Sequence, residues 1–88
     1  MKTLYKRTFI RDLSSLPEQV KEKIQAIVFN EIPNMQDISQ ISGLKKIRGH
    51  KRYYRIKIGD YRIGIEIREN TIVFMRVLHR KDIYRYFP

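Results

Sequence analysis

The stretch YYRIKIGDYRIGIEIRENTIVFMRVLH, residues 53–79, decides how this chain folds. Apolar and polar residues alternate through it with the period of two that marks strands burying one face. Gly59-Asp60 and Glu69-Asn70 interrupt the alternation at the spacing of two-residue hairpin loops, the first with a glycine free to take positive φ. The reading is three antiparallel strands, 53–58, 61–68 and 71–79. Two-residue loops fix register, so residues whose numbers sum to 119 pair across the first hairpin and those summing to 139 across the second.

That register sorts the side chains. One face collects Tyr54, Ile56, Ile58, Tyr61, Ile63, Ile65, Ile67, Ile72, Phe74 and Leu78, a surface to pack under helices. The other collects Arg55, Lys57, Arg62, Gly64, Glu66, Val73, Met75, Val77 and His79. Lys57 falls directly opposite Arg62, and like charges placed so destabilise a sheet, which a purely structural sequence tends to avoid. Arg76 falls by parity on the apolar face, a position tolerable only with a bulge or at an exposed end.

Upstream, residues 2–7 read as a short strand, and Thr8 is expected to cap a brief helix that turns Phe9, Ile10 and Leu13 inward. A second helix follows: Ser15 and Glu18 have capping-box spacing, Pro17 lies in the first turn, and Leu16, Val20, Ile24, Ile27 and Val28 form one stripe. Pro33 ends it. Residues 33–52, with Pro33, Gly43 and Gly49 and no sustained period, read as a surface connection. The predicted fold is α+β, a single domain over residues 1–88 in the order β-α-α-β-β-β. A small antiparallel sheet carries both N-terminal helices on one face.

Eighty-eight residues leave room for one core. The absence of cysteine excludes disulfides and thiolate metal sites. No apolar run approaches the roughly 18 residues of a membrane span, and MKTLYKRTFIRDL places charges where a signal peptide would carry its hydrophobic stretch. The expectation is a cytoplasmic protein with no membrane partner. The net charge of +10 is uneven, with six Lys/Arg against five Asp/Glu in residues 1–44 and thirteen against four in residues 45–88. A block of like charge that must fold against its own repulsion usually meets an anionic partner. Lys45, Lys46, Arg48, Lys51 and Arg52 are therefore expected to dock RNA.

The same half holds few other reactive groups. Asp60, Glu66, Glu69 and Asp82 are scattered, so no metal or other cofactor is expected, and His50 and His79 are the only imidazoles. There is no glycine-rich phosphate loop, serine elbow or cysteine nucleophile, and nothing suggests a small-molecule ligand. Phosphoryl transfer run by cations remains. Cleaving RNA requires activation of a 2′-hydroxyl, stabilisation of charge on the phosphorane oxygens and protonation of the leaving 5′-oxygen. A lysine crowded by arginines suits the first task, and arginines, always charged and able to grip phosphate bidentately, suit the second.

The segment YYRIKIGDYRIGIEIRENTIVFMRVLHRKDIYRYF, with the preceding GLKKIRG and the N-terminal FIRDLSSLPEQVKEKI, resembles the RelE family of toxins from bacterial and archaeal toxin–antitoxin systems. The resemblance covers nearly the whole chain. It implies a small antiparallel sheet with two N-terminal helices, metal-independent cleavage of messenger RNA in the ribosomal A site by 2′-hydroxyl attack, and neutralisation by a cognate antitoxin. Two basic residues on alternate positions of the family's strand are matched by Arg55 and Lys57. Arg55 departs from a lysine there, which shifts the general-base role to Lys57. The arginine of GDYR is Arg62, expected on the phosphate. Arg80 matches the arginine near the end of the last strand, for leaving-group protonation or charge stabilisation, and Tyr84 matches the aromatic after it at a shorter spacing. His79 resembles a histidine that some members use as acid or base. Two other readings stay open: a ParE-like protein that inhibits DNA gyrase by binding it, and a basic RNA-binding module of the same fold without catalysis.

Overall fold

Both hairpins form at the predicted loops. β3 (Tyr53–Ile58), β4 (Tyr61–Arg68) and β5 (Thr71–His79) make the centre of the sheet in this computed structural model, which describes residues 1–88. Gly59 takes φ +57° in the first loop, and Glu69, a non-glycine residue, takes φ +52° in the second. Lys57 stands opposite Arg62 and Tyr53 opposite Glu66, as the sum of 119 requires.

Across the second hairpin the register is as expected only as far as Ile65 and Phe74. Gly64 then faces Arg76, so Met75 is an extra residue on β5, a β-bulge. The bulge reverses the predicted sidedness of everything after it. Val77 turns inward opposite Ile63 and is fully buried, whereas Leu78 moves to the other face opposite Arg62. Arg76 leaves the core face, and His79 leaves the cationic face to stand opposite Tyr61, the two rings edge-on at 5.4 Å.

The sheet grows at both edges. β1 (Lys2–Tyr5) pairs with β5 in parallel, the one departure from antiparallel pairing, and β2 (Leu44–Lys46) pairs with β3 inside the segment expected to be loop. Strand order is β1-β5-β4-β3-β2.

α1 (Arg7–Ser14) and α2 (Glu18–Gln25) cover the isoleucine face, α2 continuing through a π-helical stretch, Ala26–Glu31, and a 3₁₀ turn, Ile32–Asn34. Phe9, Leu13, Ile24, Val28 and Ile32 pack there on Ile56, Ile63, Ile65, Ile72, Phe74 and Val77. Neither helix starts on the cap its sequence suggests. α1 begins after Lys6, leaving the Thr8 hydroxyl to donate to the Met75 carbonyl at 2.9 Å, and α2 begins after Pro17, while Ser15 closes α1. The reason is tertiary: α1 lies along the edge of β5 beyond the end of β1 and satisfies that edge's backbone. Its Asp12 carboxylate accepts the Val77 N–H at 3.1 Å and holds Arg76 through Nε at 2.7 Å and Nη2 at 3.1 Å.

A short third helix, α3 (Ile83–Tyr86), crosses the opposite face of the sheet. Ile83 and Phe87 are buried against β4 and β5, and Gly64 makes room for the Phe87 ring: a Cβ there would lie 2.5 Å from it. Tyr53 meets the same ring edge-on at 5.5 Å, and Arg76 sits 5.3 Å from the Tyr86 ring centroid.

Candidate functional site

Alternation along β2, β3 and β4 places Lys45, Arg55, Lys57 and Arg62 on the face away from the helices, in two neighbouring cross-strand pairs: Lys45 with Arg55 and Lys57 with Arg62. Lys57 is exposed and enters no ion pair. Backbone carbonyls aim the two arginines. Arg55 donates from Nη1 to the Gly43 carbonyl at 2.6 Å, and Arg62 donates from Nη1 to the carbonyls of Gly59 at 2.8 Å and Tyr61 at 3.0 Å. The Gly43 carbonyl also accepts the Lys57 N–H at 3.0 Å, so it brings the Arg55 guanidinium alongside the Lys57 backbone. Gly43 holds φ +79°, and a Cβ on it would lie 2.7 Å from the Lys57 carbonyl oxygen.

Arg80 stands one residue beyond β5 at the end of the sheet that carries the Gly59-Asp60 loop. Its N–H donates to the Asp60 carbonyl at 2.8 Å, and its guanidinium approaches the exposed Asp60 carboxylate only to 3.9 Å. Arg62 bonds to the same loop. Tyr84, 59% exposed on α3, leans toward β3 and with Arg55, Lys45, Lys46 and Arg48 lines a cleft of about 600 Å³.

The structure therefore gathers Arg55, Lys57, Arg62 and Tyr84 on one face with Lys45, and puts Arg80 at its end. His79 is not among them. It lies on the helix side, where its Nδ1 accepts the Lys81 N–H at 3.1 Å, a structural bond that leaves that nitrogen no free lone pair. Lys46 and Arg48 rim the cleft, whereas Lys51 and Arg52 sit in the β2–β3 loop at the far end of the sheet. No three acidic or imidazole side chains converge anywhere in the chain.

Two further arginines of the sheet differ in kind. Arg68 is bonded to Glu66 at 2.9 Å, the only charged residue buried in the chain, and that bond raises the guanidinium pKa above its ordinary value. The hydrogen bond to Asp12 does the same for Arg76. Sequence reasoning missed Gly43 as the anchor of Arg55; the only signal was a glycine just before a Lys-Lys pair. It also missed β2, too short to show a period.

Residues 3–84 match the family described as the ParE toxin of type II toxin–antitoxin systems, parDE. The chain is 46% identical to toxin RelE3 of Methanocaldococcus jannaschii over 89 aligned positions, spanning the whole of both chains. Among solved structures it is similar to a RelB–RelE antitoxin–toxin complex from Methanococcus jannaschii, at 45% identity and a TM-score of 0.82 over 97% of this chain and 99% of that one. The RelBE2 toxin–antitoxin complex of Mycobacterium tuberculosis shares the fold at 23% identity, with a TM-score of 0.72 over 90% of this chain and 96% of the other.

Proposed function

The chain belongs to the RelE/ParE toxin superfamily of type II toxin–antitoxin systems, and from that premise we propose that it is a ribosome-dependent endoribonuclease that cuts messenger RNA in the A site. The observation that carries the reading is the cross-strand pair of Lys57 and Arg62, with Arg55 beside it, on a face open to solvent. Opposed cations destabilise a sheet, and a phosphate lying between them reverses the sign of that term.

The roles follow from position. Lys57, acting as the free amine after it has released its own proton, takes the proton of the attacking 2′-hydroxyl as the 2′-oxygen bonds to phosphorus. Arg62 and Arg55 hold the phosphorane oxygens, and Arg80 meets the charge that develops on the leaving 5′-oxygen, which takes up a proton from water as its bond to phosphorus breaks. Tyr84 supplies a ring on which a base of the bound messenger RNA stacks. Lys45, Lys46 and Arg48, rimming the same cleft, dock the RNA. The chemistry asks for no cofactor. The matched complexes pair their toxins with RelB-type antitoxins, and the partner proposed for this chain is likewise an antitoxin, with an acidic or amphipathic segment that covers the cationic face.

The name of the matched family favours a second reading, a ParE-like inhibitor that binds gyrase. Purified protein added to programmed ribosomes, and separately to gyrase with relaxed plasmid, distinguishes the two. A-site cleavage without loss of supercoiling is expected; blocked supercoiling with intact messenger RNA overturns the nuclease. Cleavage by the parent should fall by roughly 10²- to 10⁴-fold in Lys57→Ala, the size of a general-base contribution.

A further inference from the structure

The cationic surface does not stop at the cleft. Lys46, Ile47 and Arg48 are shared between the cleft and a shallow groove along the β2–β3 loop that continues to Lys51. That groove shares His50 and Lys51 with a third depression, floored by Tyr53 and Glu66. Four cations, Lys46, Arg48, Lys51 and Arg52, follow one another here without a carboxylate, and none forms an ion pair. Glu66 is the first acid reached, and Arg68 already neutralises it, so the cationic stretch ends there. Two rings stand over the same spot: His50, exposed, lies tilted against Tyr53 at 5.5 Å, and Tyr53 is braced edge-on by Phe87.

Resting on the nuclease reading, we propose that the β2–β3 loop forms a second nucleotide subsite for RNA, separate from the cutting face. Lys51 and Arg52 hold backbone phosphate, and the His50–Tyr53 pair receives a base. Cations that track a backbone, with aromatic rings for the bases, are the combination by which proteins hold single strands without reading sequence. An acidic protein segment would meet the same charges but has no use for a braced ring pair. The groove also runs without a break from the cleft of Arg55 and Tyr84, which lies beside the cutting face, so a strand leaving Tyr84 reaches the loop along one continuous surface. Ribosomal RNA offers the same phosphate and base chemistry, and the experiment separates the two sources.

The probes are two 2′-O-methylated, uncleavable RNA strands with a fluorescent end label, one short enough to fill the cleft alone and one several times longer, together with vacant ribosomes and a labelled acidic peptide. Binding is titrated across salt concentrations for the parent, Lys51→Ala/Arg52→Ala and His50→Ala, after thermal melting has shown each variant folded. On the long strand the double variant should lower the slope of log affinity against log salt by about 1.4, that is about 0.7 for each lost phosphate contact. His50→Ala should weaken binding roughly tenfold with little change in slope. The short strand should register neither change. Losses confined to vacant ribosomes support the subsite and assign its RNA to the ribosome. Unchanged slopes on both long strand and ribosomes overturn the proposal, as does a loss seen only for an acidic peptide. Failure of Lys57→Ala to slow cleavage would instead overturn the nuclease reading and leave these slopes intact.

Discussion

Replacing Gly43 by alanine tests whether a single carbonyl organises the proposed cutting face. The residue holds φ +79°, where an L side chain costs about 1–2 kcal/mol. A Cβ would also lie 2.7 Å from the Lys57 carbonyl oxygen, closer than such atoms approach, and the opposing group is backbone that cannot swing aside. β2 must therefore shift, which weakens the Lys57 N–H bond to the Gly43 carbonyl by about 1 kcal/mol. The sum is about 2–3 kcal/mol, a fall of roughly 8–24 °C in Tm for a domain of this size. Thermal melting followed by circular dichroism reads that part. The functional part is read by single-turnover cleavage on programmed ribosomes, at a temperature where both proteins are folded, in a cycle with Arg55→Ala. If the Gly43 carbonyl acts by aiming Arg55, Gly43→Ala should slow cleavage in the parent and add little once Arg55 is gone. Equal slowing in both backgrounds would refute the aiming role, and a variant that melts with the parent would refute the strain.

Three other substitutions probe the supports of the site. Asp12→Ala removes the acceptor of three hydrogen bonds and strands the largely covered Arg76, so urea unfolding should show a loss of about 2 kcal/mol. Gly64→Ala places a methyl where the Phe87 ring lies; α3 should detach, seen as rapid chymotryptic cleavage at Tyr84 and Tyr86 while the far-ultraviolet spectrum keeps its helical signal. His79→Gln should leave the cleavage rate on programmed ribosomes unchanged, because that ring stands on the helix side of the sheet; a loss comparable to that of Lys57→Ala would contradict this placement.

The hairpins were legible because two-residue loops and a period of two leave one register, and the Lys57–Arg62 pair follows from arithmetic alone. The bulge at Met75 was not legible. Parity put Arg76 in the core, and that conflict was the sole sign that the alternation breaks; which residue absorbs the break depends on α1, whose Asp12 and Thr8 bind the β5 edge on either side of it. His79 was misplaced for the same reason. Helix starts failed because capping residues were judged by local spacing, whereas Thr8 is engaged by a strand 67 positions away. Arg55, Lys57, Arg62 and Tyr84 were nameable from sequence, but the gathering of Tyr84 with Arg55 in one cleft depends on α3 folding back over Gly64.

What separates the structural arginines of the sheet from those proposed to act on RNA is the chemistry of their partners. Arg68 and Arg76 hydrogen-bond to carboxylates, which cancel their charge as well as fixing their direction. Arg55 and Arg62 hydrogen-bond to backbone carbonyls, which fix direction and leave the full charge for another anion. Arg80 lies between these cases, since its approach to Asp60 at 3.9 Å joins two exposed groups whose attraction water largely screens. The distinction is measurable on one uncleavable RNA strand. Arg62→Gln should lower the salt slope of binding by about 0.7, one phosphate contact, whereas Arg68→Gln, which removes the same formal charge from the same strand, should leave it nearly unchanged. Equal reductions would mean that net charge alone holds the RNA and that the carbonyl-aimed arginines have no privileged place on it.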